Sequence, residues 1–101
     1  GNFDIEVMVM ISYPIGGFVK SLAGRDKDDL FIILKENSEY VYLVDGTYRT
    51  LDKPKRKNKK HVQVIHHQDE ALSRKLLHRE PVLNEDVKRA LALYKREGQV
   101  V

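Results

Sequence analysis

Six of the eight residues between positions 53 and 60 are lysine or arginine, and none is acidic. Residues 1–52 carry five Lys/Arg against nine Asp/Glu, and residues 61–101 carry seven against six. Residues 53–60 alone therefore carry more positive charge than the net +3 of the whole chain. Such cations repel one another and do not help folding. A polyanion relieves the repulsion, and nucleic acid is the usual one. The basic run (residues 53–60) therefore predicts a loop that contacts nucleic acid, the alternative being a solvated, mobile loop that binds nothing.

Other residue types offer less chemistry. His66 and His67 are adjacent, so on a strand they point to opposite faces and do not easily share a metal ion. Leu30 stands where the aspartates of residues 26–29 would need a third calcium ligand. No acid–base pair or activated nucleophile is recognisable. We expect no metal, no cofactor, no small-molecule ligand and no enzymatic activity, and His61 fits better as a weakly cationic neighbour of the basic run.

Length and composition limit the setting of the protein. The chain has 101 residues, enough for one small domain, and contains no cysteine. The missing cysteines exclude disulfide bonds and fit a reducing compartment. Its apolar runs are about five residues long, far short of the roughly 20 that a membrane span needs. With no signal peptide visible, we expect a cytoplasmic protein without membrane contact.

Hydrophobic periodicity predicts strands first and helices afterwards. Period-two or continuous apolar segments predict strands over residues 2–13, 18–22, 30–35, 40–44, 47–51 and 61–65. Asp45-Gly46 between two of them predicts a tight hairpin turn with positive φ at both residues. Closure of so many short strands into a small barrel would remove exposed edges.

The last third of the chain changes to helical spacing. Leu72 and Leu76 follow an acidic start, and Pro81 ends that helix. Asn84 is a suitable N-cap for a second helix, which Gly98 ends. The predicted fold class is α+β, with a β-barrel and its additional N-terminal strand in residues 1–67 and a helical appendage in residues 68–101. The apolar stripes of both helices pack on the barrel or dock on a partner.

Residues 24–34, GRDKDDLFIIL, resemble the KOW motif of bacterial KOW-domain RNA-binding proteins, which are themselves similar to KOW-type large-subunit ribosomal proteins. The lead-in strand of residues 19–23, the Asp45-Gly46 pair, the basic run and residues 60–63 follow in the family's order. The resemblance covers about half of the chain, from residue 16 to residue 63. It implies a small SH3-like barrel whose loops bind RNA, with ribosomal RNA foremost, in a ribosome- or translation-associated protein that also meets ribosomal proteins.

The chain departs from the family at Asp28-Asp29, where Gly-Lys is usual. The first of these positions needs a backbone that glycine adopts freely, and Asp tolerates it better than most residues, so we expect the turn to survive. Because an anion replaces a cation, phosphate contact in this loop falls to Arg25 and Lys27.

The candidate RNA-binding residues are the cations of this loop and of the basic run, with their nearest aromatic and basic neighbours: Arg25, Lys27, Tyr48, Arg49, Lys53, Lys55, Arg56, Lys57, Lys59, Lys60 and His61. Tyr40 and Tyr42 share one face of a strand, where an exposed ring could stack on an unpaired base or simply pack on the barrel. No sequence-specific readout is visible, so we expect recognition of folded RNA by shape and backbone. The alternative function is a KOW-type protein–protein interaction module in ribosome assembly or transcription.

Overall fold

The structure, a computed structural model, describes residues 11–98. The described part has an α+β fold with the following elements: β1 (Phe18–Ser21), β2 (Leu30–Glu36), β3 (Tyr40–Val44), β4 (Lys55–Asn58), a 3₁₀ turn (Lys59–His61), β5 (Val62–Ile65), α1 (Glu70–Leu77) and α2 (Asn84–Gly98). The strand predicted over residues 2–13 falls, up to residue 10, outside the described residues. No helix within residues 11–98 is both long and apolar enough to cross a bilayer.

The five strands form one open antiparallel sheet in the order β4-β3-β2-β1-β5. The registers pair Phe18 with Ile32, Val41 with Lys57 and Ser21 with Val62. β4 and β5 are therefore the two edge strands, although only the three residues of the 3₁₀ turn separate them in the chain.

Both faces of the sheet are apolar, which explains the continuous apolar run of β2. Alternate residues of the strands build an inner face, whose buried members are Val19, Phe31, Ile33, Val41 and Leu43 with Tyr13 and Val62. The opposite residues build a helix face, where Phe18, Ile32 and Val44 pack against Leu72, Val87, Ala90 and Leu91 of the two helices. The predicted stripes are therefore core contacts at Leu72 of α1 and at Val87 and Leu91 of α2, whereas Leu76 is 36% exposed.

The helix starts differ in how they are capped. Asp69 caps α1, because its carboxylate accepts the Leu72 backbone N–H at 2.9 Å. Asn84 was expected to cap α2, but it is the first helical residue, and its side-chain oxygen accepts the Leu51 backbone N–H at 2.9 Å. The β3–β4 loop crosses the start of α2 at this point. The backbone N–H of Leu51 has no other partner among the described residues and donates to the amide oxygen of Asn84.

The hairpin predicted at Asp45-Gly46 is wrong, as is the strand predicted over residues 47–51. Asp45 Oδ1 accepts the backbone N–H groups of Thr47 and Arg49, both at 2.8 Å, which folds the chain into a side-chain-stabilised loop. Gly46 has a φ of +81°, whereas Asp45 is not among the positive-φ residues that a type I′ turn requires. The strand that pairs with β3 is therefore β4, which begins ten residues later at Lys55.

Candidate nucleic-acid interface

The basic run was expected to be a loop, but its centre is the edge strand β4. Val41 pairs with Lys57 and Tyr42 pairs with Arg56, so backbone hydrogen bonding to β3 overrides the mutual repulsion of the cations. Side chains alternate along a strand, so Lys55 and Lys57 point to one face and Arg56 to the other. Charged side chains also suit an edge strand, because they discourage pairing with another chain.

The two inward lysines bind one carboxylate of the β1–β2 loop. Asp26 Oδ2 accepts from Lys55 Nζ at 2.5 Å, and Asp26 Oδ1 accepts from Lys57 Nζ at 2.5 Å and from Ser21 Oγ at 2.7 Å. Lys57 Nζ also donates to the Ala23 carbonyl oxygen at 2.7 Å. We refer to Ser21, Asp26, Lys55 and Lys57 as the Asp26 cluster. It fastens the β1–β2 loop onto β4.

The Asp26 cluster is largely hidden from solvent. Asp26 and Lys57 are 9% and 8% exposed, and the Lys55 side chain is 27% exposed. Burial raises the pKa of Asp26, but the hydrogen bonds from the two lysines and Ser21 outweigh it and hold the pKa well below its ordinary range. The carboxylate is therefore ionised at neutral pH. Lys57 is structural, and Lys55 offers only part of its ammonium to a phosphate.

Lys59 is also engaged within the protein. Its ammonium lies 3.3 Å from Glu36 Oε1 and 4.6 Å from the centre of the Tyr13 ring, and its side chain is 11% exposed. By contrast, Lys53, Arg56 and Lys60 are exposed, and within residues 11–98 none of these three forms an ion pair. Half of the cations of the basic run thus remain available for a ligand.

The β1–β2 loop brings further predicted residues beside the basic run. Arg25 and Lys27 flank Asp26 in the sequence and are exposed. The loop is closed by the Asp28 N–H, which donates to the Ser21 carbonyl oxygen at 2.8 Å. Asp28 has a φ of +75°, so the expected survival of the turn with aspartate in place of glycine is confirmed.

His61 and the β3–β4 loop lie on either side of the β1–β2 loop. The His61 carbonyl oxygen accepts the Leu22 N–H at 2.9 Å, and its side chain is exposed. Tyr48 is 88% exposed and, with Asp29 and Lys95, lines a groove of about 580 Å³ between the two loops and α2. Arg49 is exposed on the same loop. Candidates of three separate segments therefore adjoin the β1–β2 loop, whereas Lys59 lies at the β2–β3 turn, where its backbone N–H donates to the Glu39 carbonyl oxygen at 2.9 Å.

One group of residues went largely unrecognised in the sequence. Lys35 Nζ lies 4.6 Å from the centre of the Tyr42 ring, and Arg56 Cζ lies 4.6 Å from that of Tyr40. We call Lys35, Tyr40, Tyr42 and Arg56 the tyrosine–cation face. A bulge between Ile33 and Lys35 places Lys35 opposite Tyr42, so simple alternation along β2 does not find the contact.

No family model matches the chain, and no curated protein matches it significantly. Within residues 11–98, no group of three or more His, Asp or Glu side chains is arranged to hold a metal ion. The remaining indications of function within residues 11–98 are the exposed cations and the Asp26 cluster beside them.

Proposed function

We propose that this protein is a noncatalytic RNA-binding module that acts at the ribosome or elsewhere in translation. Its contacts to phosphate are the exposed cations Arg25, Lys27, Lys53, Arg56 and Lys60. The observation that carries the proposal is the Asp26 cluster, which fastens the loop bearing Arg25 and Lys27 onto the basic strand β4. The loop that bears Arg25 and Lys27 is thereby held next to β4, whose Arg56 points to the opposite face of the strand.

We also propose that the sheet is an SH3-like barrel of the KOW type. Four strand spacings of about 4.8 Å would hold the edges of a flat five-stranded sheet roughly 19 Å apart. The link Lys59–His61 between these edges is a 3₁₀ turn, which at about 2.0 Å per residue covers only some 8 Å from Asn58 to Val62. Strong curling of the sheet around its inner face satisfies this short link, and the ordered KOW resemblance supports the same architecture.

The affinity for RNA comes from neutralised phosphates. Each cation that meets a phosphate releases condensed counterions, so the logarithm of the association constant falls by roughly 0.7–0.9 per contact for each unit of log salt. Five contacts give a slope of about −3.5 to −4.5. Arg25 and Arg56 add planar groups that can grip phosphate with two hydrogen bonds. This mode suits structured ribosomal RNA recognised by shape and backbone.

The test is a salt series with a fluorescent fragment of large-subunit ribosomal RNA, followed by anisotropy. Replacing Arg25, Lys53 and Lys60 together with Gln should reduce the slope by about 2–3, since up to three phosphate contacts are lost. Thermal stability should stay unchanged, because these side chains are exposed and form no ion pairs within residues 11–98.

The control neutralises two cations of the helices, one of which, Arg74, pairs with the exposed Glu70. Arg74 and Arg96 are exposed residues of the helices, outside the proposed contact. Their replacement with Gln changes the net charge by two, and we expect it to leave most of the affinity and the slope intact. An affinity that does not respond to salt, or one that falls equally in the control, would contradict the proposed contact.

A protein-interaction module is the second candidate, and exposed leucines favour it. Leu77 and Leu83, on either side of the α1–α2 connection, are 78% and 58% exposed. Such side chains can dock on a neighbouring protein. Ionic elution from ribosomes separates the two candidates, because a docking module leaves as a protein complex and does not bind free RNA.

A further inference from the structure

The tyrosine–cation face joins three strands in one row. Lys35 of β2 is opposite Tyr42 of β3, which is opposite Arg56 of β4. Tyr40 is the next residue of β3 with the same orientation, and Arg56 reaches over its ring. Both tyrosines are half-buried, whereas Lys35 and Arg56 are exposed. Flat aromatic groups and cations thus alternate on a surface that solvent reaches.

Neither cation of this row is neutralised by a described carboxylate. Within residues 11–98, Lys35 and Arg56 contact tyrosine rings and take part in no ion pair. Packing on a ring holds a long side chain in place and leaves its charge uncompensated. The row therefore complements a ligand that carries both negative charge and flat groups. A single strand of RNA has both, with its phosphates and unstacked bases.

We propose that the tyrosine–cation face binds an unpaired segment of RNA, with a base stacked on the Arg56 guanidinium and adjacent phosphates near Lys35. This inference rests on the proposed function and adds the kind of RNA that this face selects. The guanidinium carbon lies 4.6 Å from the centre of the Tyr40 ring, and Arg56 is exposed, so a base can reach it from solvent. Guanidinium planes accept stacked bases, which the compact ammonium of lysine does not.

Unpaired RNA fits this face better than a duplex does. In a duplex, the faces of the bases are stacked on one another, so a protein meets phosphates, sugars and base edges. A duplex would contact the cations of the row through its phosphates but would not stack on the flat groups. An unpaired segment would use both, and so the face should favour unpaired over paired RNA at the same salt concentration.

The experiment compares two labelled RNAs by fluorescence anisotropy: a strand of about twelve nucleotides without self-complementarity, and a duplex of about twelve base pairs. The wild-type protein should prefer the unpaired strand. Arg56→Lys retains the charge and removes the plane, and it should reduce that preference about 5-fold or more, the effect of losing one stacked base. The dissociation constant for the duplex should stay nearly unchanged.

Two comparisons keep the result interpretable. Lys60→Gln lies outside the row and should weaken the binding of both RNAs by the same factor. Tyr40→Phe should retain the wild-type preference for the unpaired strand, because the ring next to Arg56 is kept. Thermal midpoints show that each variant is folded. An unaltered preference in Arg56→Lys would overturn the inference while leaving the proposed function intact. Failure of the wild type to bind either RNA would overturn both.

Discussion

Replacing Asp26 with Asn tests whether the Asp26 cluster holds the loop on β4. Asparagine has nearly the same shape but no charge, so Lys57, 8% exposed, would lose its counterion within the protein. Removing one partner of a buried ion pair typically costs about 3–5 kcal/mol. We expect the lower end, about 3 kcal/mol, because Lys55 is 27% exposed and can turn to solvent. For a domain of this size, the melting temperature should fall by at least about 10 °C.

The assay is urea unfolding followed by circular dichroism at several pH values. The folded-state pKa of Asp26 is lowered, so its contribution to the free energy of unfolding is complete above the unfolded pKa of about 3.9. It is lost as the pH falls below that value towards the folded pKa. Wild-type stability should therefore decrease with acid below about pH 4 more steeply than that of Asp26→Asn, and the two should converge.

Two variants serve as controls for this reasoning. Lys55→Gln should cost under about 1 kcal/mol, because Lys55 is the more exposed lysine and Asp26 retains the other one. The double variant Asp26→Asn with Lys57→Met removes both buried charges and should recover part of the loss. If Asp26→Asn unfolds at the wild-type urea concentration, the cluster does not fasten the loop, and the proposed grouping of cations loses its basis.

Further measurements test the neighbouring structure. Asp26→Asn should also weaken RNA binding and make the salt slope shallower in anisotropy, because the loop of Arg25 and Lys27 is no longer held on β4. Asp28→Asn should alter stability by less than about 0.5 kcal/mol, whereas Asp28→Val should cost about 1–2 kcal/mol in urea unfolding, since φ is +75° there. Gly46→Ala should also be destabilising by more than about 1 kcal/mol, because its Cβ would lie 2.5 Å from the Asn84 carbonyl oxygen at a φ of +81°.

Local patterns in the sequence were sufficient to predict most of the secondary structure. β3 occupies Tyr40–Val44 as predicted, and β1 and β2 end within one residue of the prediction. These segments are short, mostly apolar runs with turn residues on both sides, so propensity and burial agree. The left-handed backbone of Asp28 was also predictable, because it depends on one residue and on the turn around it.

Contacts between distant residues were not predictable in this way. Asp26 and Lys57 are 31 residues apart, and Leu51 and Asn84 are 33 apart. Nothing in either local sequence marks these partners. Because Asn84 binds Leu51, it is not the N-cap that was predicted for α2. Leu51 belongs to the β3–β4 loop, and this loop occupies residues 47–51, where a strand was predicted. In the sequence, Asp26 stands out only as one aspartate of a rejected calcium loop, whereas it is the counterion of two lysines.

The charge of the basic run is divided by the geometry of a strand. Because side chains alternate, every second residue of β4 faces the interior, where Lys55 and Lys57 meet the only carboxylate that they contact within residues 11–98. Arg56 faces the other way, onto tyrosine. Because Lys59 is also paired, with Glu36, three of the six cations remain exposed and unpaired within residues 11–98, and a count of cations overestimates what a polyanion can reach about twofold. What the inward lysines contribute instead is position, because they hold the loop of Arg25 and Lys27 against one face of β4 while Arg56 remains exposed on the other.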